Sequence, residues 1–575
     1  MLHCRISYQQ PNLHWLTLQL TIDQLGEEAT YLQLPAWRPG RYELGNFAKN
    51  IRRFRVEDAQ GAPLPFQKVA KDRWEVPASE TDKITVTYEY YAGELNAGST
   101  WLDEEQVYIN FVNCMLYVEG HLDEPYRVSL DLPSDYQIAG GLEEVEPHVL
   151  EAPNFYRLAE SPIIASAQLT HWQYEVDGHR FHLWFQGACY LDESTTLERF
   201  TAFTREQMGM MDGFPTDDYH FLYHLLPYRA YHGVEHFNST VITLGPTDQL
   251  REGSALYYDF LGVSSHELFH TWNIIRIRPQ EMMPYDYARE NYFPTGFVAE
   301  GITTYYGDLF LARSGVLTRE EYFLELNKVL QRHFDNFGRF NHSLVDASQD
   351  LWLDGYAPGV PDRKVSIYVK GALVSLILDL ELRKHTEGEQ SLDTLMHYLW
   401  DYFGKKERGY SLHNLQKLVS DLSGNELNDY FERFIFGTEP LEDKLAEVLQ
   451  TVGCQLVPRD SARPSERRFG FRTGTGEAAL VVQKIAPDSP AAQVLSLNDK
   501  ILAIDGLAPT DDSGEGLLVD CRRVELTVLR QQRMKTLMLE ADEQTYFSVY
   551  TIEQQPEANA TQRDAFEAWL GLNWE

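Results

Sequence analysis

His266-Glu267-Leu268-Phe269-His270 decides how this chain is to be read. Histidines four residues apart lie one turn apart on the same face of a helix, here expected over Leu256 to Ile277. From one face, two imidazoles can grip a single metal ion, which points to zinc. Glu267 stands beside them without filling a coordination position, which is the arrangement of a general base. The same pattern also arises on exposed helices with two solvated histidines. Leu268, Phe269 and Trp272 instead mark this helix as buried, where unpaired imidazoles are costly.

A catalytic zinc takes three protein ligands and keeps one position open, and the third can be a glutamate on a following helix. Glu300, 30 residues after His270, is the candidate. It stands alone in Gly296-Phe297-Val298-Ala299-Glu300-Gly301-Ile302, where a carboxylate would be expensive to bury without a cation. The alternative third histidine of His-x-x-Gly-x-x-His is excluded, because Thr271-Trp272-Asn273-Ile274-Ile275 follows the motif. Asp308 offers a carboxylate to orient a ligating histidine, the alternative being an exposed or capping acid.

Working outward, residues up to roughly 165 read as short strands, such as Trp15 to Ile22 and Lys83 to Tyr91, with turns at Pro35, Pro39 and Gly40. No chemistry is compelled there. From about 170 to 450, strand-like Ser239 to Leu244 gives way to helical spacing, as in Leu373 to Lys384 and Leu392 to Tyr402. Ser391 and Ser411 stand where N-caps belong, and Gly388 where a helix ends. After Gly453 comes Phe469-Gly470-Phe471, then Ser489-Pro490-Ala491-Ala492, then Asp499-Lys500-Ile501-Leu502-Ala503-Ile504-Asp505-Gly506. This string resembles a PDZ domain, with Ser496-Leu497-Asn498-Asp499 replacing the usual Gly-Leu-x-x-Gly-Asp. The resemblance makes Phe469-Gly470-Phe471 a candidate carboxylate-binding turn and implies either a peptide ligand added as a strand or a module that only packs or gates.

At 575 residues the chain is too long for one core. Its 86 acidic against 50 basic residues give a formal charge of -36, which repels nucleic acid and anionic membrane surfaces. Five scattered cysteines form no Cys-x-x-Cys pair, and no long apolar run or leader-like opening is present. A cytoplasmic enzyme with reduced thiols is expected.

His266-Glu267-Leu268-Phe269-His270-Thr271-Trp272-Asn273, followed by Glu300-Gly301-Ile302-Thr303-Thr304-Tyr305-Tyr306, resembles the M61 glycyl aminopeptidase family. These are gluzincins related to the aminopeptidase N group. The resemblance implies a multidomain α+β chain. Its parts would be a β-rich N-terminal domain (1–168), a thermolysin-like, mainly helical zinc catalytic domain (169–455), a PDZ-like domain (456–545) and a C-terminal helical tail (546–575). It also implies one catalytic zinc held by His266, His270 and Glu300, with Glu267 as general base. Gly233-Val234-Glu235-His236 is similar to the Gly-x-x-Glu loop of such enzymes, so Gly233 and Glu235 would bind the substrate's free amine. His232 stands where a second glycine is expected. Tyr368-Val369-Lys370-Gly371 is similar to the Tyr-x-Lys-Gly segment whose phenol faces the scissile carbonyl. The implied activity is removal of a small first residue, glycine or alanine, from peptides with a free N-terminus. An endopeptidase on the same site, or a peptide-binding scaffold without catalysis, are the other readings.

Overall fold

Strand alternation governs the first third of the chain. In Trp15–Ile22 every second residue is buried, Leu16, Leu18, Leu20 and Ile22 facing inward, as a strand with one covered face requires. That strand lies inside a seven-stranded sheet, flanked by Leu2–Ser7 on one side and Ile84–Tyr91 on the other. Two four-stranded sheets complete the region. This computed structural model describes residues 1–575 apart from 24, 26, 27, 79, 80, 358, 428, 477, 478 and 510–513.

The second region is built on a five-stranded sheet. His179–Gln186, Asp218–Leu225 and Ser239–Gly245 run parallel, and Ser239–Gly245 is buried throughout, as expected of a strand covered on both faces. Ala230–Glu235 closes one edge antiparallel to Ser239–Gly245, pairing from Ala230 opposite Gly245 to Glu235 opposite Thr240. Tyr108 and Ile164 of the N-terminal region pack with Leu222, Val234 and Val241 of this sheet, so the two regions share a contact core.

Helices cover the sheet's other side. Ser411 caps Leu412–Leu422 through its side chain, Ser391 opens Leu392–Tyr402, and Gly388, at φ +86°, follows the helix Val369–His385. That last helix is central, with every residue from Val369 to Leu382 buried. Its polar side chains are therefore informative. Asp379 accepts from the Tyr305 hydroxyl at 2.7 Å and Arg383 Nε at 3.0 Å, and Glu381 meets Lys444 at 3.0 Å. Lys370 Nζ has no hydrogen-bond partner among the described residues.

The helix of the histidine motif is shorter than expected, running Ala255–Phe269 with His270 at its C-cap rather than continuing to Ile277. The chain reverses there: Ile274 takes φ +89° and Ile277 N–H donates back to Trp272 O at 2.8 Å.

Beyond residue 453, the strand Cys454–Arg459 runs across the expected break at 455/456 and pairs with Val549–Gln554 in a two-stranded ribbon. Between the two lies a five-stranded antiparallel sheet with the short helix Pro490–Val494 and its own apolar core. Within it, Gly470 N–H donates to Glu466 O at 3.2 Å and Gly470 O accepts from Ala486 N–H at 2.8 Å, so both backbone groups of Gly470 are used internally. The helix Ala560–Leu570 returns to the middle region, where Trp569 Nε1 donates to Tyr305 Oη at 2.8 Å. Among the described residues, no helix is long and apolar enough to cross a membrane.

Burial, and then nearby Arg339, lower the Lys370 pKa to about 8. The sign follows: below pH 8 the ammonium is charged in both folded and unfolded chains and its burial costs the most, while between pH 8 and 10.5 the folded form sheds the proton first. Lys370→Met is therefore expected to raise stability at pH 7 by about 2–3 kcal/mol, with the gain over the parent shrinking as pH rises to 10.5. Denaturant unfolding at several pH values checks this. A variant no more stable than the parent at pH 7 would show that the ammonium has a counter-charge.

Candidate active site

Helical spacing places His266 and His270 on one face, and their Nε2 atoms converge to 3.0 Å with the rings nearly perpendicular. Each ring is backed by the main chain. His270 Nδ1 bonds Asn273 O at 2.9 Å, which the early end of the helix makes possible, and the Thr303 backbone lies close enough to His266 to favour a proton on its ring. A ring whose Nδ1–H is given to a carbonyl presents its Nε2 lone pair to the site. The orienting groups are thus carbonyls, and Asp308 does not take that role.

Glu300 Oε2 lies 3.4 Å from His270 Nε2 and 3.8 Å from His266 Nε2. It projects from Phe297–Ile302, a widened π-helical stretch leading into Thr303–Arg313; such stretches recur at functional sites. The next residue, Gly301, sets how close this segment comes to the central helix. A Cβ on Gly301 would stand 2.5 Å from Gly371 Cα, so both glycines are needed for the backbones to cross. That crossing brings Tyr368, at the head of the central helix, into the same cleft as Glu300. Tyr368 lies beside Tyr356, whose hydroxyl accepts from Tyr42 N–H at 3.2 Å. Burial, and then the Glu300 charge, hold the Tyr368 phenol firmly protonated.

Glu267 is buried beside the histidines, where the Thr240 hydroxyl donates to its Oε2 at 3.3 Å. The edge strand Ala230–Glu235 presses on it: a Cβ on Gly233 would stand 2.2 Å from Glu267 Oε1. Glu235, at the end of that strand, is buried too, and Gly40 of the N-terminal region closes over it, its Cβ position 2.7 Å from Glu235 Oε2. The cleft they line has a volume of about 640 Å³ and includes all seven residues singled out in the sequence: Gly233, Glu235, His266, Glu267, His270, Glu300 and Tyr368.

Burial pushes the Glu267 carboxyl up to about 8 and the Glu235 carboxyl up to about 7, His270 opposing the shift and neighbouring carboxylates adding to it. Burial resists charge on His270, yet the combined pull of Glu235, Glu300 and Glu267 draws it up to about 10. Burial, and then charged His270, hold His266 well below the usual range. The site draws positive charge into itself. Ligand atoms of His266, His270 and Glu300 lie within 4.8 Å of one another, and so do those of Glu235, Glu267 and His270. Two imidazole nitrogens and a carboxylate oxygen form the donor set of a catalytic zinc, so these residues fit that ion.

Four contributors carried no signal in the sequence reading. Thr240 reaches Glu267 only because Glu235 pairs opposite it. Asn273 stood in the quoted motif, but its carbonyl's role depends on where the helix ends. Tyr356 and the Arg38-Pro39-Gly40-Arg41 turn come from distant segments, and only the turn itself was foreseeable.

Residues 3–167 match the Peptidase M61 N-terminal domain, and residues 259–374 match the M61 glycyl aminopeptidase domain. The second M61 match encloses His266, Glu267, His270, Glu300 and Tyr368. Among solved structures, an aminopeptidase N family protein from Idiomarina loihiensis is similar over 99% of this chain and 100% of its own, at 28% identity and a TM-score of 0.91. An M1 zinc metallopeptidase from Deinococcus radiodurans, bound to a Tyr-Ser-Ala substrate, is similar over 76% of this chain and 94% of its own, at 15% identity and a TM-score of 0.47. Among curated proteins nothing matches.

The glycine crossing yields a direct test. Gly301→Val overpacks it and is expected to cost about 1–3 kcal/mol. Gly209→Ala lies on an exposed helical turn with nothing within 4 Å of the new Cβ, and is expected to stabilise by about 0.5–1 kcal/mol. Thermal unfolding of both variants checks the pair, and a Gly301→Val protein as stable as the parent would mean that the crossing has room.

Proposed function

We propose that this chain is a zinc-dependent aminopeptidase that removes the first residue from peptides with a free amine. One observation carries the reading: the two converging Nε2 atoms and Glu300 share a buried cleft with Glu267 on one side and the buried Glu235 on the other. His266, His270 and Glu300 would hold one zinc ion. When bound, the ion supplies a Lewis acid and lowers the pKa of water.

The chain's own residues do the rest. Glu267, poised by burial and by the Thr240 hydroxyl, takes a proton from the attacking water and returns it to the leaving amine. Tyr368, kept protonated, donates a hydrogen bond to the oxyanion that develops on the carbonyl. Glu235 pairs with the substrate ammonium and fixes the register, which favours a chain end over an internal bond. The edge strand offers backbone groups to the peptide, and Gly233 lets it approach Glu267 closely. Gly40 packs against Glu235 with no room for a Cβ between them, which supports a small first residue such as glycine or alanine.

The decisive assay uses aminoacyl amides and their N-acetylated forms. Glu267→Gln is expected to retain zinc by metal analysis and to lose about 10²–10⁴ in kcat. Glu235→Gln is expected mainly to raise KM for the free-amine substrate, and acetylated substrates should be resistant throughout. Full turnover by Glu267→Gln would sink the mechanism, and rapid cleavage of acetylated peptides would point to an endopeptidase instead.

A further inference from the structure

The cleft around His266 does not end at Tyr368. Tyr368 also lines a second cavity of about 530 Å³, whose walls include Asp350, Asp354, Val360 and Asp362 and, facing them, Gln483, Lys484 and Leu497 of the C-terminal module. The two spaces also adjoin along one helix end: exposed Arg332 lines the first, and Asn336, four residues on, lines the second. The second cavity therefore abuts the first at Tyr368 and takes one wall from each of two separately cored regions.

Those walls are pinned together. Arg472 of the module reaches Asp335 at 2.7 Å while holding Glu466 at 2.8 Å, and Phe547 packs edge-on against Phe337. Asp335 is thereby held by Arg472, and among the described residues Lys484 forms no direct ion pair, with Asp335 and Asp362 within its electrostatic reach. Lys364, by contrast, is engaged by Asp354. Apolar surface is available as well: Val360 and Leu497, lining the cavity, are 63% and 36% exposed.

The direction of the substrate follows from the edge strand. A peptide whose amine sits at Glu235 and which pairs antiparallel with Ala230–Glu235 runs toward Ala230. Arg332 stands within electrostatic reach of Tyr231, near that end of the strand. Residues downstream of the scissile bond are thus led toward Arg332 and the mouth of the second cavity.

We propose that the cavity between the catalytic region and the C-terminal module receives the downstream residues of short peptide substrates, with Lys484 and Arg332 as counter-charges for their C-terminal carboxylate. This rests on the aminopeptidase reading and adds to it a substrate class, short peptides with a free carboxylate. The module then serves as a wall of the substrate site. Its contact is with the side chains and terminus of the peptide being cut.

The test compares glycine p-nitroanilide, which has no downstream residue, with glycyl tri- to pentapeptides prepared as free acids and as C-terminal amides. The full-length parent, Lys484→Gln and Lys484→Glu are assayed, with melting temperatures confirming that each is folded. The parent is expected to favour free acids over amides, chiefly through KM. Lys484→Glu is expected to lower the peptide-to-anilide ratio of kcat/KM about ten-fold for free acids, with Lys484→Gln intermediate and the amides little affected. Equal losses on anilide and peptides, or a parent indifferent to the C-terminal carboxylate, would overturn the proposal. A parent that leaves the anilide and every peptide intact would instead sink the aminopeptidase reading beneath it.

Discussion

Glu235, Glu267 and Glu300 share one buried site with His266 and His270, and like charges held out of water repel strongly. Most features of the middle region follow from keeping that cluster together. The cluster relieves itself by retaining protons, on Glu267 and Glu235 through burial and on His270 through the surrounding carboxylates. A divalent cation between the Nε2 atoms and Glu300 would offset the same repulsion without those protons, leaving Glu267 free to act as a base. On the proposed reading, metal affinity and catalytic competence would thus arise from one electrostatic imbalance.

Holding such a cluster requires rigid backbones at short range. Small residues supply the distance: Gly301 and Gly371 let two helical segments cross, and Gly233 lets the edge strand lie against Glu267. Backbone carbonyls supply the orientation, since Asn273 O and the Thr303 backbone lie against the two imidazoles. Carbonyls carry no net charge, so they aim the rings without adding to the carboxylate excess. An aspartate such as Asp308 in that role would have deepened it.

How much was legible follows from the range of each interaction. His266, Glu267 and His270 could be recognised because helical spacing is local, and Glu300 because a lone carboxylate in an apolar run demands an explanation. Strand alternation in Trp15 to Ile22 and the serine caps of later helices are local too, and the structure has them where the residues put them. The end of the motif helix at Phe269 was not legible, because the reversal at Ile274 depends on packing rather than on a glycine or proline signal. Thr240, Tyr356 and Gly40 enter the site only through strand pairing and domain contact, which no short window contains. Glu235 and Tyr368 lay between these cases. Their motifs drew attention through resemblance, and only the folded chain brings them into the cleft with the histidines.

The same reasoning bears on why the chain is so long. The N-terminal region closes over Glu235 through Gly40, the middle region supplies the histidines and Glu300, and the C-terminal module faces the Tyr368 side across a shared cavity. Each contact is anchored away from the chemistry. Apolar packing around Tyr108 and Val234 joins the first two regions, and Arg472 joins the module to Asp335. The ribbon Cys454–Arg459 with Val549–Gln554, and Trp569 against Tyr305, bring the chain back to the catalytic helices after the module. A module held at both ends by the region it faces can keep a fixed wall at the cavity, whereas one on a single linker would leave the width of that cavity unspecified. The returning strand and helix are therefore as much a part of the cleft's geometry as the residues that line it.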